Sequence, residues 1–374
     1  MGLEFLDGNE AVVRGAVRAG CNFFAGYPIT PASAILQDMI ETLPAVGGVA
    51  IQAEDEIASI GMCIGASMAG RKALTATSGP GISLYSENIG LAVMGEVPLV
   101  IVDVQRQGPA TGSATMGAEG DIQFMRWVTS GGLPMICLSP ASVAEAYELT
   151  CRAFNLAEKY RTPVFIASSK ELGMTRESVD LEAVMLPPIV ERTRASGNDE
   201  FLPHFFERPG EVPAFSDFGG RVITRFTTST HDRGGYLTTN PSVIQEMIDH
   251  YAAKIREAED DIALVTEDLE DGSPTLIVSY GITSRSVKVA VKEARARGFR
   301  VSSLVPKTLW PVPEKALRRA MEGVRRIVVP EMNMGQYVIE IQRLAPENAE
   351  VVSVGKMNTT LLSPTEILRM GGIA

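Results

Sequence analysis

Apolar and polar positions along the chain change period repeatedly. Over residues 9–20, "NEAVVRGAVRAG" places its apolar residues at helical spacing and Gly20 closes the turn, while "CNFFAGYP" is a short β-rich run ended by Pro28. Thr30 followed by Pro31 is a helix start, a hydroxyl cap ahead of a proline in the first turn, with "PASAILQDMIETL" as the helix. The alternation continues as strand "GVAIQA", a helix over 56–70, strand "KALTATS", a helix over 81–95, strand "VPLVIVDV", then "LPMICLS", a helix over 141–159 and "TPVFIAS". Strands joined by helical crossovers predict a parallel sheet covered on both faces.

After Leu186 the texture breaks. "LPPIVERTRASGNDEFLPHFFERPGEVPAFSDFGG" is rich in proline and aromatics and sustains no period, which predicts a connecting arm whose aromatic side chains bury against something else. All three histidines, His204, His231 and His250, fall in this stretch or just after it. A helix over 241–258 leads to a second α/β unit: strand "TLIVSYG", a helix to 298, strand "RVSSLVP", a helix over 313–323, strand "RRIVVPEMN", a helix over 335–345 and strand "AEVVSVG". The chain therefore divides at 1–186, 187–265 and 266–374, an α/β sheet domain, an irregular arm with a helix, and a smaller α/β domain.

Composition narrows the class. The 374 residues include no apolar run of the roughly 18–20 residues that cross a bilayer and no charged-then-apolar leader, so a cytoplasmic protein without a membrane partner is expected. A formal charge of −11 speaks against nucleic acid, and the basic runs "VKEARARGFR" and "KALRRAMEGVRR" fit solvated helix faces. Cys21, Cys63, Cys137 and Cys151 stand far apart without a C-x-x-C pair, so the chain is expected to ligate neither zinc nor an iron–sulfur cluster, and no metal ligand is assigned in it.

Four features carry candidate chemistry. "TSGPGIS" sets a Gly-Pro-Gly turn between a strand and a helix, where backbone N–H groups face a polar ligand; Leu84 stands where a dinucleotide fingerprint needs its third glycine. Glu54, Asp55 and Glu56 precede a helix with Ile57, Ile60, Ile64 and Met68 on one side and only Ala58, Gly61 and Gly65 on another. Acids in a first turn suit the helix dipole, and small residues suit tight packing, so by themselves these residues fit either structure or a site. Thr30 either caps its helix or presents a hydroxyl to an anion, and Arg106, just past a strand end, is either a surface residue or a planar fork for a carboxylate.

"GYPITPAS", a glutamate nine residues before Gly65 in "EIASIGMCIG", and "TSGPGIS" together resemble the pyrimidine-binding domain of thiamine-diphosphate enzymes, specifically the alpha subunit of 2-oxoacid:ferredoxin oxidoreductases. With "GNEA", "RAGCNFFAGYPITP", "QRQGPATG", "GDIQFMRW" and "FNLAEKYRTPV", the similarity is to the 2-oxoglutarate type and covers nearly all of residues 5–175. "SYGITSRSVKVA" and "VVPEMNMGQ" extend it to a transketolase C-terminal-like domain. The resemblance implies that Glu56 bonds the aminopyrimidine of thiamine diphosphate and so activates it, and that Thr30 and Arg106 meet the 2-oxoacid. It further implies that Tyr27, Pro28, Ile29, Gly79, Pro80 and Gly81 border the cofactor.

The G-D-G stretch that holds magnesium in such enzymes is missing here. The resemblance accordingly implies a beta subunit supplying the diphosphate site, Mg²⁺ and a [4Fe–4S] cluster, in an (alpha-beta)2 assembly. Gamma and ferredoxin-like subunits accompany some family members. Coenzyme A is the implied co-substrate and ferredoxin the electron acceptor. "EMNMGQ" would approach coenzyme A or the interface, and either Arg126 or the beta subunit would meet a distal carboxylate. Alternatives are the same chemistry on pyruvate or a branched-chain oxoacid, or a non-catalytic scaffold that keeps the fold.

Overall fold

The computed structural model describes residues 2–196 and 201–373. Its larger sheet runs in the order Thr308–Trp310, Ile136–Leu138, Pro163–Ser169, Leu99–Gln105, Ala73–Thr77, Phe23–Gly26 and Val49–Gln52. Every neighbour pair is parallel except the first, in which Thr308–Trp310 lies antiparallel to Ile136–Leu138. The two central strands, Leu99–Gln105 and Pro163–Ser169, are buried along their whole length, as strands covered on both faces must be. Helices Gly8–Arg18 and Val143–Tyr160 cover one face and approach closely at Gly15, where a Cβ would stand 2.6 Å from the Tyr147 carbonyl oxygen.

The smaller sheet has the order Glu350–Gly355, Arg326–Glu331, Thr275–Val278, Val301–Pro306 and Val265–Asp268, parallel except for its last edge. The C-terminal stretch thus builds its own sheet and lends Thr308–Trp310 to the first, a strand too short to show in the periodicity. The predicted helix over 81–95 is two, Pro80–Leu84 and Ser86–Met94, broken at Tyr85. The predicted helix over 241–258 is Pro241–Arg256. Among the described residues no helix is long and apolar enough to cross a membrane, and the four cysteines are free and buried.

The arm is held by buried charge rather than by regular structure. Arg161, itself buried, donates to the carbonyls of Pro203, Pro213 and Ala214 at 2.9–3.0 Å. Arg192 forks Glu158 with both contacts at 2.7 Å. The histidines converge here: His204 Nδ1 and His250 Nε2 each stand 2.9 Å from the Glu96 carboxylate, and His231 Nε2 bonds the Met94 carbonyl. Phe206 stacks on His250 with ring centroids 4.1 Å apart. The expected burial therefore holds for Phe206 and Phe215, whereas Phe205, Phe218 and Tyr236 stay exposed.

Candidate active site

The strands Phe23–Gly26, Ala73–Thr77 and Leu99–Gln105 end on the same side of the parallel sheet, and the loops leaving them form the crevice in which ligands of open α/β sheets bind. The helix Glu56–Met68 begins beside it. Its cap is Asp55, whose carboxylate accepts from Ala58 N at 2.7 Å, so one of the three acids serves the helix end. Glu54 and Asp55 are exposed, whereas Glu56 is only 7% exposed. A Cβ on Gly81 would stand 2.9 Å from Glu56 Oε1 and 2.0 Å from Thr77 Oγ1, so Glu56 lies directly against the Gly-Pro-Gly turn and only a residue without a side chain admits it. Gly81→Ala should destabilise the chain by about 1–3 kcal/mol through overpacking, measured as a shift in urea midpoint at constant slope.

Arg106 and Thr30 meet at the other end of that turn. Arg106 is 6% exposed; its Nη1 donates to the Thr30 carbonyl at 2.7 Å and its Nη2 to the Thr111 carbonyl at 2.9 Å, while Nε is buried with no partner. A surface arginine is thus ruled out: each terminal nitrogen commits one N–H to a backbone carbonyl and keeps a second, while Nε commits none. A Cβ at Gly79 would stand 3.6 Å from that Nε, so the turn walls the guanidinium. Gly79 itself has φ +43°, a backbone that glycine adopts readily.

Thr30 is not a helix cap. The Thr30–Pro31 bond is cis, the helix begins at Ser33, and its N-cap is Ala32 with no side-chain cap. The hydroxyl-then-proline pattern is real but belongs to the loop that Arg106 holds. Tyr27 and Pro28 stand exposed at the strand end with Ile29 partly covered, forming the crevice rim. On this helix Ile60, Ile64 and Met68 are buried, while Ile57 is 52% exposed and Gly61 and Gly65 have open space where a Cβ would point, so that side faces outward in this chain. Arg126 lies outside the crevice. It lines a cavity of about 490 Å³ with Trp127, Arg256, Trp310 and Arg343, its guanidinium 4.1 Å from the Trp127 ring centre.

Sequence pattern passed over Asp103 and Asp121. Asp103 is fully buried in the strand, with neither carboxylate oxygen bonded by geometry. Burial and the neighbouring Asp121 carboxyl push Asp103 well above the usual carboxylate range, and burial raises Asp121 to about 6, against the pull of Asp103 and Arg106. Burial and mutual proximity thus disfavour charge on both acids. An acid inside "LVIVDVQ" was the signal, because a buried strand position tolerates a carboxyl only with a reason. Glu119 is a third buried acid; burial pushes it to about 8.

This geometry joins a carboxyl at a glycine turn to an unpartnered guanidinium nitrogen one turn away, a set that fits a planar heterocycle beside a carboxylate. Residues 14–266 match the family described as pyruvate flavodoxin/ferredoxin oxidoreductase, thiamine diphosphate-binding, and residues 274–367 match pyruvate:ferredoxin oxidoreductase core domain II. The 2-oxoglutarate synthase subunit KorA of Methanothermobacter marburgensis is 44% identical over 97% of this chain and 97% of its own length. The ketoisovalerate oxidoreductase subunit VorB of Methanothermobacter thermautotrophicus is 35% identical over 98% of this chain and 97% of its own. The solved 2-oxoglutarate:ferredoxin oxidoreductase of Magnetococcus marinus, with 2-oxoglutarate, coenzyme A and succinyl-CoA bound, is similar at a TM-score of 0.92 and 30% identity over 98% of this chain, which spans 64% of that one. A split-gene transketolase at 14% identity and a TM-score of 0.57 shares the fold. With its first domain matched almost throughout and its crevice built from the same stretches that carry the resemblance, the chain belongs to the pyruvate flavodoxin/ferredoxin oxidoreductase family.

Proposed function

We propose that this chain is the alpha-type subunit of a complex that oxidises 2-oxoglutarate with coenzyme A to succinyl-CoA and CO2, passing the released electrons to ferredoxin, or runs the reverse carboxylation. The observation that carries the reading is the position of Glu56, buried against the Gly79–Gly81 turn with Arg106 at the turn's other end. These residues fit the aminopyrimidine half of thiamine diphosphate: Glu56 supplies a buried carboxyl to a ring nitrogen, and Gly81 leaves the space that any side chain would fill. When bound, the cofactor supplies a stabilised carbanion equivalent for attack on the oxoacid carbonyl. Glu56 holds a proton at the ring, and Arg106 and Thr30 meet the oxoacid carboxylate.

The diphosphate, Mg²⁺ and the [4Fe–4S] cluster are assigned to a beta subunit, with which we expect an (alpha-beta)2 assembly in the cytoplasm. Supporting this, the chain carries no G-D-G stretch and its four cysteines are separately buried. The isolated chain should bind thiamine diphosphate weakly by calorimetry, and co-expression with its beta subunit should give tight, magnesium-dependent binding. Tight binding by this chain alone would overturn the shared site. The 35% identity to a ketoisovalerate enzyme subunit favours one second reading, a branched-chain oxoacid as substrate. A screen of the purified complex with a viologen acceptor separates the two. In the same assay Arg106→Lys should lower kcat/KM for the oxoacid and leave KM for coenzyme A unchanged, since an ammonium cannot reproduce a planar guanidinium. A raised coenzyme A constant with an unchanged oxoacid constant would move Arg106 to the other ligand.

A further inference from the structure

The loop that begins at Arg106 returns through "GAEGDIQ", and that return is held by the second domain. Glu119 N donates to the Met332 carbonyl at 2.9 Å, and Asn333 Nδ2 donates to the Glu119 carbonyl at 2.8 Å. Gln336 Nε2 donates to the Gly120 carbonyl at 2.5 Å. Its Oε1 accepts from Gln123 N and its carbonyl from Gln123 Nε2, both at 2.9 Å. The Asn333 and Gln336 side-chain amides of "EMNMGQ" are thereby engaged within this chain.

The grip is itself rigid. Asn333 is buried; its Oδ1 accepts from Gly335 N and Gln336 N at 2.8 and 3.0 Å, which fixes the amide so that Nδ2 points at Glu119. The same Nδ2 bonds Tyr280 Oη at 2.8 Å, and Tyr280 donates to Glu331. On the near side the loop is tied back to the crevice: Asp121 N donates to Gln105 Oε1 at 3.0 Å, Gln107 N to the Met116 carbonyl at 2.8 Å, and Arg106 Nη2 to Thr111. A continuous set of hydrogen bonds and one short loop therefore connects Asn333 to the Arg106 guanidinium.

We propose that Asn333 and Gln336 are positioning residues for the 2-oxoacid: by fixing Glu119 and Gly120 they set the loop whose Thr111 carbonyl holds the Arg106 guanidinium in place. This rests on the reading of Arg106 as the carboxylate donor. Asn333→Asp keeps the acceptor for Gly335 and Gln336 but turns the donor facing Glu119 into an acid; Gln336→Ala removes the second grip.

The assembled complex with its beta subunit is the material for the test. Both variants should lower kcat/KM for 2-oxoglutarate by about 10- to 100-fold through KM, the scale of a misaligned positioning group, with KM for coenzyme A within about twofold of wild type. Hydrogen–deuterium exchange of residues 107–121 should rise in both. A lowered melting temperature with wild-type KM for the oxoacid and wild-type exchange over 107–121 would make the contacts a structural stitch and overturn the proposal. Should the wild-type complex turn over no 2-oxoacid, the functional reading fails on its own, and the exchange of 107–121 alone then decides: faster exchange in the variants sustains the grip, unchanged exchange overturns it. If Gln336→Ala does not assemble, Gln336→Glu, which keeps the acceptor for Gln123 and loses the donor to Gly120, carries the same comparison.

Discussion

Glu56→Gln should leave the complex assembled and its cofactor bound, and lower turnover by about 10²- to 10⁴-fold, the range for losing a positioned acid–base group. Glutamine keeps the volume that packs against Gly81 and Thr77, so the Gly-Pro-Gly turn has no reason to move. What it removes is a carboxyl that can exchange its proton with a ring nitrogen. Calorimetry on the assembled variant should therefore return a thiamine diphosphate affinity near wild type, while exchange of the cofactor's C2 proton, followed by quenched-flow NMR, slows in parallel with turnover. Glu54→Gln and Asp55→Asn are the controls. Glu54 is exposed and Asp55 is engaged in capping, so each should cost a few tenths to about 1 kcal/mol of stability and leave exchange intact. If Glu54→Gln abolished C2 exchange and Glu56→Gln did not, the placement of the cofactor against Gly81 would be wrong.

What could be read from sequence follows the range of the interactions involved. The strands were legible because a fully buried parallel strand leaves an apolar run, and Glu56 because its spacing to Gly65 and the neighbouring "TSGPGIS" lie within one βα unit. Thr30 was misplaced as a cap because its local chemistry is that of a cap; the contact that decides otherwise comes from Arg106, 76 residues away. Gly61 and Gly65 have the composition of a tightly packed helix face, yet in this chain that face looks outward with Ile57. The histidines carried no local signal, since Glu96, the partner of His204 and His250, is 108 and 154 residues away from them, and the Met94 carbonyl that His231 meets is 137 away. Asp103 and Asn333 were readable only as oddities, an acid in an apolar strand and an amide after one, and a single sequence does not say which strand or loop such a group will meet.

Glu96→Gln should be strongly destabilising, because that carboxylate ties His204 of the arm and His250 and Lys254 of the following helix to the first domain. Burial alone would raise the Glu96 carboxyl, but Lys254 and Arg161 beside it, with hydrogen bonds from His204 and His250, pull it well below the usual range. Lys254 Nζ is 2.6 Å away and buried. An amide in its place leaves Lys254 and Arg161 without a counter-charge and turns one of the two acceptors into a donor facing His204, His250 or Lys254. Removing one partner of a buried charge set costs about 3–5 kcal/mol. Trypsin should then cut within 201–240 at temperatures where the wild-type arm is protected, and Glu96→Gln/Lys254→Met should recover part of the loss by removing the stranded cation. The pH dependence fixes the sign. Burial lowers His204 to about 4 from 6.5, so its neutral form is favoured in the fold and stability falls as pH drops from about 6.5 to 4. Glu96, depressed below 4.5, adds stability that is present above that value and lost as pH falls further, through its folded pKa. Wild type should therefore release the arm in two overlapping acid steps, and Glu96→Gln should lack the lower one. A variant that kept the arm protected at neutral pH and retained both steps would show that the arm is held elsewhere, by Arg192 and Glu158.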